Sequence, residues 1–163
     1  MLVPLREEDA EALFRWITDR ELVELSAPFD PPTADQHRRW FDSIRSRDDV
    51  EIYGIRLVED DRLIGSCQLH SIDRQSASAE LQIRIGERDA WGRGYGTEAV
   101  RLLVEHAFGD LGLRRVELHV FATNHRAIRA YEKVGFEIED RGARKAFVGG
   151  RYLDVLAMAI APS

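Results

Sequence analysis

The chain has 163 residues, 44% hydrophobic and 32% charged, enough for one domain with a real core. Its net charge of −6 lacks the basic footprint of general nucleic-acid binding, and no apolar run nears the roughly 20 residues that span a bilayer. No signal-like segment opens the chain, and the single cysteine, Cys67, excludes an internal disulfide or a cysteine-rich metal site, so a cytoplasmic protein is expected.

In chain order, residues 2–5 suit a short first strand. A helical segment over 7–24 follows, with Ala10, Leu13, Phe14 and Ile17 at helical spacing. Pro28, Pro31 and Pro32 break the chain, and Thr33 with Gln36 makes a capping box for a second helix that buries Trp40, Phe41 and Ile44. Residues 52–58 and 63–72 read as strands joined by the acidic turn Glu59, Asp60, Asp61. Residues 77–85 alternate, with Leu81, Ile83 and Ile85 on one face and Glu80, Gln82 and Arg84 on the other. A glycine-rich loop then opens a long amphipathic helix marked by Val100, Leu103, Val104, Ala107, Phe108 and Leu111, with Gly112 placed to end it. Val116, Leu118 and Val120 alternate again, a helix from about 124 to 134 closes at Gly135, and strands over 136–140 and 152–160 finish the chain. Hairpins first and crossovers later predict an α+β fold with a mixed sheet and helices on both faces, as a single domain over 1–163.

The loop Gly92-Arg93-Gly94-Tyr95-Gly96 follows a strand and starts a helix. The first amides of a helix lack internal partners, and glycine lets an anion approach them. No Ser, Thr, Asp or Asn stands where it would cap this helix, so a phosphate or pyrophosphate is the candidate acceptor. A Walker loop is absent, and Thr97 stands where a dinucleotide fingerprint needs its third glycine. By spacing alone, an ordinary glycine turn before a helix explains the segment equally well.

Two longer motifs go further. They are Trp91-Gly92-Arg93-Gly94-Tyr95-Gly96-Thr97-Glu98-Ala99 and Asn124-His125-Arg126-Ala127-Ile128-Arg129-Ala130-Tyr131-Glu132-Lys133-Val134-Gly135-Phe136. Together they resemble the GCN5-related N-acetyltransferases (GNAT), in the branch holding ribosomal-protein and spermidine acetyltransferases. The resemblance implies a largely antiparallel, twisted sheet of six to seven strands. It also implies acetyl-CoA as co-substrate and direct transfer of its acetyl group to a primary amine: a protein N-terminus, a polyamine or another small amine. In that family the loop amides hold the pyrophosphate, a role that falls here on Arg93, Gly94, Tyr95, Gly96 and Thr97, with Gly92 at the turn. Trp91 departs from the usual Gln or Arg. The strand before the loop pairs with the pantetheine arm, which implies Ile83, Arg84 and Ile85. Asn124, Arg126, Ala127, Arg129, Tyr131 and Lys133 are implied on the helix beside the cofactor, the basic ones toward its phosphates. A homodimer is also implied.

Amine acetylation needs a neutral nucleophile and a proton for the departing thiolate. Tyr131 matches the family's general acid, although its helical stripe with Ala127, Ala130 and Val134 also suits a core residue. Asn124 suits an N-cap and, by resemblance, orders the site. Glu80 is the first candidate base, His119 the second, and loss of the proton to water the third. No metal ligand set is expected, since His37, His70, His106, His119 and His125 are scattered. Cys67 reads as a packed strand residue. The helical segment over 7–24 and residues 25–32 are expected to shape the acceptor pocket, and no membrane or nucleic-acid partner is expected. A non-catalytic acetyl-CoA sensor is the competing class. A nicotinamide-dependent oxidoreductase is the third, disfavoured by the glycine spacing.

Overall fold

A computed structural model describes residues 1–163, apart from the side chains at positions 142 and 143. Seven strands form one sheet in the order β1-β2-β3-β4-β5-β7-β6. The strands are β1 (Leu2–Pro4), β2 (Glu51–Arg56), β3 (Leu63–Asp73), β4 (Ser78–Ile85), β5 (Arg115–Phe121), β6 (Glu137–Val148) and β7 (Arg151–Ile160). Every neighbouring pair is antiparallel except β4 with β5, which is parallel. This is the mixed, largely antiparallel α+β fold that the sequence led us to expect.

Helices cover both faces. Helices α4 (Tyr95–Gly109) and α5 (His125–Val134) pack on the face formed by Cys67, Leu69, Ala79, Leu81, Val116, Leu118 and Met158. The other face carries α1 (Asp9–Ile17), α2 (Arg20–Val23) and α3 (Ala34–Ile44), whose own core joins Leu13, Trp16, Leu22 and Phe41. Strict alternation along β4 sends successive side chains to opposite helical layers. The capping box at the start of α3 is formed: Thr33 Oγ1 accepts from Gln36 N, and Gln36 Oε1 accepts from Thr33 N.

Four expectations are corrected. The helical segment over 7–24 is two helices, because the Thr18 hydroxyl bonds back to the Phe14 carbonyl and Asp19 caps a new start at Leu22 N. Helix α4 ends at Gly109, three residues before Gly112, which takes φ +67° in the turn beyond. Strand β6 runs to Val148 rather than to about 140, because two register shifts break its alternation while its pairing with β7 continues. Only β4–α4–β5 is a parallel crossover. After α5 the chain enters the outer strand β6 and returns as β7, which lies between β6 and β5.

One buried ion pair ties the first helix to the sheet. Arg56 on β2 bonds Asp9 and the Asp61 carbonyl (2.9 Å), and Asp9 also accepts from Arg6 N (2.8 Å). Asp9 and Arg56 are only 3% and 6% exposed. Removing one partner leaves a buried charge uncompensated, so Asp9→Ala should cost about 3–5 kcal/mol, read as a Tm lower by roughly 10 °C. A Tm within about 2 °C of wild type would contradict this.

Candidate active site

Strands β4 and β5 pair only over three residues, Ser78 with Arg115, Ala79 with Val116 and Glu80 with Glu117. Beyond that point β4 stays on β3 while β5 stays on β7, so the two strands part and leave a wedge. Along its inner edge β4 presents backbone groups with no strand partner. Ile85 is one of them, since its carbonyl accepts from the Trp91 indole at 2.8 Å. Alternation turns the Ile83 N–H and C=O the same way. The intervening Arg84 alternates to the other side with Gly86, whose N–H donates to the Ile64 carbonyl of β3 (2.8 Å), so its backbone faces away from the wedge.

The chain between β4 and α4 makes a 3-10 turn at Arg88–Ala90 and then the glycine loop. Gly92 and Gly94 adopt φ +74° and +82°, conformations that cost a side-chain-bearing residue about 1–2 kcal/mol. No side chain caps α4, and the first helical amide with an acceptor is Glu98 N, on Gly94 O (3.1 Å). The amides of Tyr95, Gly96 and Thr97 are therefore free for an anion at the positive end of the helix. A Cβ at Gly94 would meet no atom within 4 Å, so the space over this turn is open.

Trp91 links the parts. Besides its bond to Ile85 O, its ring lies under two guanidiniums, Arg88 (5.8 Å) and Arg126 of α5 (5.7 Å). The Arg126 head also stands beside Gly92, 3.1 Å from where a Cβ would be. Trp91, which departs from the usual family pattern, here joins loop, strand and α5. Arg93 is held by its side-chain bond to the Asp89 carbonyl (3.1 Å), while Arg129 and Lys133 are exposed on α5.

At the closed end of the wedge, Glu80 Oε1 lies 2.8 Å from His119 Nδ1, and Glu80 Oε2 lies 3.8 Å from His70 Nε2. The two candidate bases are thus one hydrogen-bonded pair, on the face toward α1–α3. His70 was not expected there, although its register opposite Glu80 follows from the β3–β4 hairpin. Tyr131 stands on the other face, packed with Ala127 and Ile128 against the α4 core and edge-on to Phe136 (5.9 Å). Its hydroxyl has no hydrogen-bond partner among the described residues, and burial pushes the phenol up to about 12. Asn124 caps α5 by accepting from Ala127 N (3.3 Å), and its amide donates to the Leu25 carbonyl (3.3 Å). That second bond ties the 25–32 loop to the site. Asn124→Ala should cost about 1 kcal/mol from the lost cap and raise the acceptor KM severalfold. An unchanged acceptor KM would remove the loop-positioning role.

The remaining histidines are placed elsewhere: His37 is buried between Phe14 and Trp40, His106 bonds Glu51 and Asp110, and His125 is exposed at the first turn of α5. Cys67 is buried, and burial pushes its thiol up to about 12, which makes it inert. Among the described residues no helix is long and apolar enough to cross a membrane.

The split sheet thus has an uncapped helix start on one face and a carboxylate–imidazole pair on the other. This is the architecture of a group transferase whose donor has an anionic handle and an extended arm. Comparison with known proteins makes the class specific. Residues 1–137 match the model of the acetyltransferase (GNAT) domain, and the chain belongs to that family. It is 29% identical over 94% of its length to an uncharacterized N-acetyltransferase, p20, of Bacillus licheniformis, covering 87% of that protein. It is 35% identical over 66% of its length to spermidine N(1)-acetyltransferase of Vibrio cholerae, covering 62% of it. Its structure superposes on the crystal structure of the spermidine N-acetyltransferase from Vibrio cholerae in complex with CoA and spermine, with TM-score 0.89. That match spans 99% of this chain and 94% of the other at 24% identity. The protein is an acetyl-CoA-dependent N-acetyltransferase acting on an amine.

Proposed function

We propose that the wedge between β4 and β5 is the catalytic centre, with acetyl-CoA entering from the α4–α5 face and the amine from the α1–α3 face. The observation that carries this is the parting of β4 from β5 immediately beyond Glu80, beside the uncapped start of α4. The diphosphate sits on the amides of Tyr95, Gly96 and Thr97, with Arg93 and Gly94 in the turn and Arg126 beside Gly92. The pantetheine arm pairs with Ile83 and the Ile85 N–H, since Trp91 already occupies the Ile85 carbonyl.

Transfer then proceeds in a ternary complex. The amine nitrogen attacks the thioester carbonyl carbon, the C–S bond breaks, and the thiolate takes a proton from Tyr131. The ammonium proton leaves to Glu80, with His119 hydrogen-bonded to it and able to pass the charge on. Glu80 and Tyr131 lie on opposite faces of the sheet, so acid and base do not quench each other. The acceptor is a primary amine on a small molecule, a polyamine or a peptide N-terminus. The enzyme works in the cytoplasm as a single domain and a homodimer. Thiol release from acetyl-CoA over a panel of amines tests the reading, with Glu80→Gln as control. Turnover reduced about 100-fold or more in the variant is expected. Tight CoA binding without turnover on any amine would favour a sensor instead.

A further inference from the structure

One charge on the α1–α3 face is not used by this chemistry. Three arginines are buried or half-buried: Arg56, Arg84 and Arg115. Arg56 is paired with Asp9, and Arg115 with Glu117 and Glu139. Arg84 is partly buried and has no hydrogen-bond or ionic partner among the described residues. Burial draws its guanidinium below the ordinary arginine range. A sheltered cation without a counter-ion is unfavourable unless a ligand supplies the anion.

The donor's phosphates do not fit that role. They belong to the start of α4, on the face where Ile83 and Ile85 pack, whereas Arg84 alternates to the opposite face with Glu80 and Gln82. The same face holds two further buried polar atoms without hydrogen-bond partners, Gln68 Oε1 and His70 Nε2, the latter 3.8 Å from Glu80 Oε2; they stand opposite Gln82 and Glu80 in the β3–β4 register. Four residues along β4 put the Cα atoms of Glu80 and Arg84 roughly 13 Å apart. On one face of β4, that span suits a small molecule with an amine at one end and an anion at the other.

We propose that the acceptor carries a carboxylate as well as its amine, and that Arg84 is the specificity-determining residue that recognises it. The inference rests on the acetyl-transfer reading and narrows its acceptor to amino carboxylates, in preference to polycations, whose distal ammonium Arg84 repels. The test is calorimetric binding to the dead-end complex with CoA, so that acceptor recognition is read independently of turnover. The probes are α- and ω-amino acids, each against its own amide, short peptides with an acidic or a neutral second residue, and 1,4-diaminobutane. At least one carboxylate probe should bind about tenfold or more tightly than its uncharged counterpart, with the diamine weaker still. Arg84→Gln should bring that ratio close to one, and Arg84→Lys should keep part of it. Tightest binding by the diamine, no carboxylate preference in wild type, or a preference intact in Arg84→Gln overturns the proposal. Acceptor binding with the expected ratio but no thiol release would instead sink the transferase reading alone.

Discussion

Tyr131→Phe should lower kcat by about 100-fold or more while changing the KM for acetyl-CoA by less than about twofold. The hydroxyl bonds nothing among the described residues, so its loss should leave stability within about 0.5 kcal/mol of wild type. Rate and stability therefore separate cleanly. The phenol's high proton affinity is no obstacle to its role. A thiol in water titrates near about 8.5, but burial pushes the Cys67 thiol of this same protein up to about 12. Desolvation of the released thiolate raises its own proton affinity in the same direction, which narrows the gap to the phenol. Because Tyr131 keeps its proton until about 12, it should contribute no alkaline decline in kcat below pH 10. Initial rates against pH for wild type and variant check both points. A variant with wild-type kcat would remove Tyr131 from the chemistry.

The second large effect contrasts two glycines. Gly94 and Gly112 both adopt positive φ, +82° and +67°, and a Cβ at either would meet no atom within 4 Å. Alanine should therefore cost each position about 1–2 kcal/mol of conformational strain. Only at Gly94 does the new methyl point into space assigned to the diphosphate. Gly94→Ala should weaken acetyl-CoA binding about tenfold to a hundredfold, and Gly112→Ala should leave it unchanged at equal stability. Calorimetric Kd values with urea denaturation of both variants decide this. Equal binding in the two would mean that the α4 start holds no anion.

The candidate site was legible where local chemistry is strong. Thr33 with Gln36, Asn124 with Gly135, and the Glu80–Gln82–Arg84 face of β4 each follow from a period or a cap that tertiary packing does not override. What escaped detection depended on pairing. Bulged β6 shows no alternation, and the insertion of β7 between β5 and β6 leaves no local trace. The break before α2 was present as a signal, since Asp19 is a good N-cap, but helical periodicity on either side concealed it. Arg84 is the instructive case. The family resemblance marks its backbone for the donor, whereas alternation along β4 turns that backbone toward β3 and its side chain to the α1–α3 face.

We propose above that the donor lies in the wedge between β4 and β5, along the inner edge of β4 and over the start of α4. Backbone amide hydrogen exchange with and without CoA measures this directly. The amides of Ile83, Ile85, Tyr95, Gly96 and Thr97 should slow by about tenfold or more on saturation, while that of Arg84, already turned to β3, should not gain comparable protection. Protection confined to other segments, with these amides unchanged, would contradict the account.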